Sequence, residues 1–106
     1  KPFTELEVWK KARDFKIEIE REVKSFPPEE KFRLVDQIIR SVRSINANIS
    51  EGHGRYGYAD QIRFCMQARG SLNETYNHLI DAYDSHTSPK KNYFTIKINL
   101  MKLPVY

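Results

Sequence analysis

Ser44-Ile45-Asn46-Ala47-Asn48-Ile49-Ser50-Glu51-Gly52-His53-Gly54-Arg55 is the stretch on which the fold turns. Ile45 and Ile49 close an apolar face that begins at Leu34/Val35, Ile38 and Val42, with the three- and four-residue steps of an amphipathic helix. Gly52 and Gly54 then end that helix, because glycine beyond a helix C-terminus takes up left-handed backbone angles without a Cβ penalty. A second helical pattern resumes at Tyr58 to Asp60, so the stretch predicts a helical hairpin. Gly52 to Gly57 also spells G-x-G-x-x-G, but a dinucleotide loop needs a strand before it, and here a long helix precedes it. No cofactor is expected.

Beside the apolar face runs an uncharged polar stripe, Gln37, Ser41, Ser44 and Asn48. Two readings stand: solvation, or close approach of another helix with hydrogen bonds across the contact. Arg33, Arg40 and Arg43 project away from the core, and Asp36 is placed to pair with Arg40 one turn on. The helix carrying these residues is predicted over about 28–52. Phe26-Pro27-Pro28-Glu29-Glu30 separates it from its predecessor, since a residue before proline leaves the helical region and proline with acids suits a first turn.

Upstream, Val8, Ala12, Phe15, Ile19, Val23 and Phe26 make one buried stripe of a first helix over about 5–26, opened by a Thr4/Glu7 capping box. Glu7 with Lys11 and Glu20 with Lys24 have the spacing of helical ion pairs, Lys10, Arg13 and Lys24 share a face with Leu6 and Ile17, and Trp9 falls at the core margin. Downstream, Cys65, Ala68, Leu72, Tyr76, Leu79 and Tyr83 form the stripe of a third helix over about 58–85, with Cys65 as a small core side chain. Gly70 inside that helix suggests a neighbouring backbone passing close. Arg69 projects near the apolar face and so needs a carboxylate, for which Glu51 is the candidate, supported by Asn48. His78 and His86 are isolated and expected to be exposed. In the final residues, Tyr93, Ile96, Leu100 and Leu103 fit a helix, whereas Phe94, Ile96, Ile98 and Leu100 alternate as a strand would. A lone strand has no partner in a helical domain, which favours a fourth helix over about 89–103.

With 106 residues the chain is long enough for one core, so a single domain over 1–106 is expected. No run reaches the roughly 18 apolar residues of a membrane span and no signal-peptide core is present, which predicts a cytoplasmic protein without membrane contact. A lone cysteine forms no intrachain disulfide or thiolate metal site, and the sequons at Asn48 and Asn73 lie within predicted helices. The net charge of +4 comes from Lys90, Lys91, Lys97 and Lys102; residues 1–84 balance at zero. Within them, residues 31–69 carry seven basic and three acidic side chains, so a basic surface is expected in the middle of the chain.

LEVWKKA at Leu6 to Ala12, FPPEEKF at Phe26 to Phe32, NISEGHGR at Asn48 to Arg55 and ARGSLNE at Ala68 to Glu74, in this order and spacing, resemble the 23S rRNA intervening-sequence protein family. The resemblance implies an all-α fold, an antiparallel up-down-up-down four-helix bundle, here with a short, atypical fourth helix, assembling into a ring-shaped homopentamer. The related accessory proteins of diversity-generating retroelements are basic pentamers that work with a reverse transcriptase and nucleic acid. Asn46 stands where that family usually has proline, which implies a weaker bend in the second helix.

These readings give a non-catalytic oligomeric adaptor for RNA or DNA, with Lys10, Arg13, Arg33, Arg40, Arg43, Arg55 and Arg63 as phosphate-binding candidates, weak singly but strengthened by avidity. Asn48, Glu51, Gly52, Gly54, Arg69 and Gly70 are the structural or interface candidates. The alternative is a protein-interaction scaffold that binds a reverse transcriptase or another protein and no nucleic acid. Glu51, His53 and Arg55 could in principle do acid-base work, but no metal-spaced histidine pair, nucleophilic triad or phosphate loop accompanies them, so no enzyme is expected.

Overall fold

The computed structural model describes residues 2–85, apart from the side chains of residues 31 and 32. They form an all-α structure built on three long helices, α1 (Glu7–Glu22), α2 (Asp36–His53) and α3 (Tyr58–Asp84), with no strand among the described residues. The segment expected as a fourth helix, 89–103, and His86 lie outside them.

α1 does not begin with the expected capping box. Pro2, with φ fixed near the helical value, starts a 3-10 turn over Phe3–Glu5 that places Thr4 mid-turn, and extended backbone at Leu6 resets the chain before Glu7. The turn folds Phe3 back against Trp9, ring centroids 5.4 Å apart at 66°, leaving Trp9 half-buried at the core margin as expected. α1 tightens into a 3-10 turn over Val23–Ser25 and ends where extended backbone at Phe26 precedes Pro27. The connection to α2 is helical too: a 3-10 turn over Pro28–Glu30 and a π turn over Lys31–Val35. The wider π turn re-phases the chain, and Leu34 and Val35 pack against the edge of the core ahead of Ile38.

The core holds the expected faces of the first two helices: Ala12, Phe15, Ile19, Val23 and Phe26 from α1 and its final turn, and Ile38, Val42 and Ile45 from α2, all buried. α3 is rotated from expectation. Ala68, Leu72 and Leu79 are buried as expected and Tyr76 packs half-buried against the core, but Thr75 and Ala82 are buried as well, Cys65 is half-buried and Tyr83 is 41% exposed. The polar stripe of α2 explains the rotation. Thr75 donates to Ser41 Oγ at 2.8 Å, Ser41 donates to the Ile38 carbonyl at 3.1 Å, and Ser71 donates to Ser44 Oγ at 2.9 Å. Asn48 braces that serine from its own helix at 3.0 Å, whereas Gln37 is exposed. Small hydroxyl side chains let the helices approach, and their hydrogen bonds offset the cost of burying them.

The contacts run in opposite senses along the two helices, Ser41 with Thr75, Ser44 with Ser71, and Gly52 beside Phe64 at the turn. Close approach is therefore at Gly52, where an added Cβ would lie 2.9 Å from Phe64 Cβ, and not at Gly70, where it would meet nothing within 4 Å. Nor do the hinge glycines take left-handed angles: Gly54 sits at φ −81° and Gly57 at φ −78°. The reversal uses ordinary backbone conformations.

Asn46 is buried in an unbroken α2 and donates from Nδ2 to the Trp9 carbonyl at 3.3 Å, tying α2 to the first turns of α1. Its Oδ1 is buried and has no hydrogen-bond partner among the described residues.

Candidate nucleic-acid interface

The seven basic candidates do not form one patch. Lys10 meets Glu7 at 3.6 Å, Arg33 meets Glu30 at 3.9 Å and Arg40 meets Asp36 at 3.2 Å, each about one turn away on exposed surface. Pairs of this kind are worth little and leave most guanidinium donors facing water. The Asp36 with Arg40 pair forms as its spacing predicts, whereas Glu7, spaced to meet Lys11, takes Lys10 instead.

Arg13 and Arg43 are brought together across a groove between α1 and α2 of about 630 Å³. Arg13, Lys16, Arg21 and Lys24 line its α1 side, Arg43 its α2 side, and Ile17, Val23, Val35 and Ile39 supply apolar lining. Five cations thus line the groove together with one acid, Glu20. At about 100° per residue Arg13, Lys16 and Glu20 lie within about 60° of one another on α1, with Arg21 at the edge of that face beside Asp14, while Glu18 and Glu22 fall on the other. Lys16 and Arg21 were missed because the charge of the first 30 residues, −1 in sum, conceals this separation by face.

Glu20 is held by Arg43 rather than by Lys24, which lies in the 3-10 turn that ends α1. Arg43 grips both oxygens, Nε at 3.1 Å and a terminal nitrogen at 2.7 Å, a two-pronged geometry that an ammonium cannot supply. This hydrogen bonding holds the Glu20 carboxyl below its ordinary value of 4.5, against the opposing effect of burial, and the charges of Arg43, Lys16 and Lys24 reinforce it. A depressed folded-state value means that the pair's contribution is complete above the unfolded value and is lost as pH falls through the folded one. In urea titrations the stability difference between the parent protein and Glu20→Gln should therefore be constant at neutral pH and shrink below pH 4.5. A difference independent of pH would show that the pair is not formed.

Arg55 and Arg63 form a second site at the α2–α3 turn. Their guanidinium carbons lie 4.8 and 4.7 Å from the centroid of the Phe64 ring, and they pair with Glu51 at 3.0 Å and Asp60 at 3.4 Å. Within the protomer Glu51 thus engages Arg55 and not Arg69. Arg69 is exposed instead of lying by the apolar face, a consequence of the rotation of α3, and Asn48 is occupied with Ser44. Glu51, His53 and Arg55 are all exposed. Cys65 is half-buried, and burial pushes its thiol up against the opposing charge of Arg69, which suits a packing side chain better than a nucleophile. His78 is half-buried beside Glu74 at 3.4 Å, not isolated as expected. Among the described residues no cluster of three metal-ligating side chains occurs, and no helix is long and apolar enough to cross a membrane.

The family model described as 23S rRNA-intervening sequence protein matches residues 4–103. The chain belongs to that family. No match was found among curated proteins. The motifs quoted above occupy structural positions in this member of the intervening-sequence family: the prolines of FPPEEKF precede the re-phasing turns into α2, and NISEGHGR carries Gly52 to its contact with Phe64.

Proposed function

We propose that this intervening-sequence family member is a non-catalytic oligomeric adaptor that associates with RNA or DNA through the α1–α2 groove. The observation that carries the reading is the gathering of Arg13, Lys16, Arg21, Lys24 and Arg43 with a single acid, already taken up by Arg43. The family's name points to RNA as the setting. In this reading residues 89–103 supply a fourth helix that completes an up-down-up-down bundle, and copies assemble into a ring, pentameric as the resemblance implies. A ring multiplies a groove too weak to hold polyanions alone.

The test is binding of labelled RNA and DNA across a salt series. A complex at about 50 mM salt that weakens steeply as salt rises is expected, with little sequence preference. Combined Lys16→Glu, Arg21→Glu and Lys24→Glu substitution, which spares the Arg43 clamp, should reduce affinity at least about tenfold while helical circular dichroism is kept. Absence of any complex at low salt overturns the reading. A specific observation favours a scaffold instead: Lys10, Arg33, Arg40, Arg55 and Arg63 each already hold an acid, as a merely solvated surface would. A stoichiometric protein partner that survives nuclease treatment would decide for it.

A further inference from the structure

At the α2–α3 turn, Tyr56 is fully exposed, at 105%, and Tyr58 is 62% exposed. Large aromatic side chains usually bury much of their surface, so two in water within three residues need a reason. Residues 53–60 are exposed throughout and contain no aliphatic side chain larger than Ala59, so the two rings stand among polar and charged neighbours in the chain.

Arginines stand close to Tyr56 in the chain and at the base of the turn. Arg55 precedes Tyr56 directly, and it shares the Phe64 ring with Arg63 at 4.8 and 4.7 Å. Stacking on one ring holds both guanidiniums in place, so little side-chain freedom is left to lose on binding. Each has five donors, and the exposed pairs with Glu51 and Asp60 leave the others available. The backbone beneath is tied down: Gln61 donates to the Arg55 carbonyl at 2.8 Å, and the Arg55 amide donates to the Gly52 carbonyl at 3.2 Å. On the other side of Tyr56, Gly57 has open space where a side chain would stand.

We infer that this turn is a stacking site for unpaired nucleotides of single-stranded nucleic acid, with Tyr56 receiving a base and Arg55 and Arg63 the flanking phosphates. The inference rests on the nucleic-acid reading above and adds a strand preference to it. A tyrosine ring stacks on a base face, and base faces are accessible in single strands but hidden within a duplex. Stacking on a ring uses the base face, which RNA and DNA share, so RNA and DNA single strands should bind alike.

The full chain is titrated by anisotropy with labelled oligouridylate, oligothymidylate and an RNA duplex. Tyr56→Ala should weaken both single strands about 5- to 150-fold, the worth of one stacked base, and leave the duplex unchanged. Tyr56→Trp should keep single-strand affinity, and its added fluorescence should be quenched on binding. Single-strand binding that ignores Tyr56→Ala, or a parallel fall for the duplex, overturns the inference while leaving the groove reading intact. So does a change of oligomeric state in Tyr56→Ala on sedimentation, which would make the turn a contact between copies. If the parent protein binds neither single strands nor duplex, the groove reading falls as well.

Discussion

Ile45→Ala should lower the free energy of unfolding by about 2–5 kcal/mol, measured by urea denaturation with the transition followed by helical circular dichroism. Ile45 is fully buried, in one cluster with Phe15, Ile19, Ile38, Val42 and Leu72. Removing three carbons from such a site forfeits their transfer free energy and leaves a cavity that packed helices close only in part. A domain of this size has about 5–15 kcal/mol in total, so the loss is a large fraction of it. Ile17→Ala is the control, because that side chain is 38% exposed along the groove and its truncation should cost well under half as much. Equal losses at the two positions would mean that α1 and α2 do not meet along the faces described.

Why α1 and α2 were legible in the sequence, and α3 only roughly, follows from what each contact is made of. Ala12, Phe15, Ile19, Val23 and Phe26 face Ile38, Val42 and Ile45, and nearly all are large apolar groups whose spacing states their face directly. The contact between α2 and α3 is built from Ser41, Ser44 and Gly52 against Ser71, Thr75 and Phe64. A hydropathy pattern assigns such residues to solvent. Reading Tyr83 as core and leaving out Thr75 and Ala82 therefore turned α3 out of phase, and Arg69 with it. Solvation and close approach both stood open for the serines, and the second row of hydroxyls opposite them decides for close approach.

The interface was partly legible for a related reason. Charge summed along the chain pointed to residues 31–69, yet the cations that converge on the groove include Arg13, Lys16, Arg21 and Lys24 of α1, in a segment whose total is slightly acidic. Helical phase separates charges that sequence position mixes. The clamp of Arg43 on Glu20 spans 23 positions and has no local signature. Of the second site, Arg55 and Arg63 were legible as cations, but the Phe64 ring that holds them together required the hairpin to be closed.

Gly52→Ala and Gly70→Ala should shift stability in opposite directions, although both exchange a helical glycine for the best helix former. At Gly70 the new methyl group meets nothing within 4 Å, so the change supplies helix propensity alone and should add about 0.5–1 kcal/mol. At Gly52 the same gain is opposed by a Cβ placed 2.9 Å from Phe64 Cβ. That atom is fixed to the α3 backbone and cannot rotate aside, so the helices must separate near the turn, at an overpacking cost of about 1–3 kcal/mol. A net loss of about 1–2 kcal/mol is expected in urea denaturation, since the clash exceeds the propensity gain. The same displacement moves the ring on which Arg55 and Arg63 rest. Gly52→Ala should therefore also weaken single-strand binding, whereas Gly70→Ala leaves it unchanged. Two stabilising substitutions would refute close approach at Gly52 and, with it, the α2–α3 packing on which the turn site is mounted.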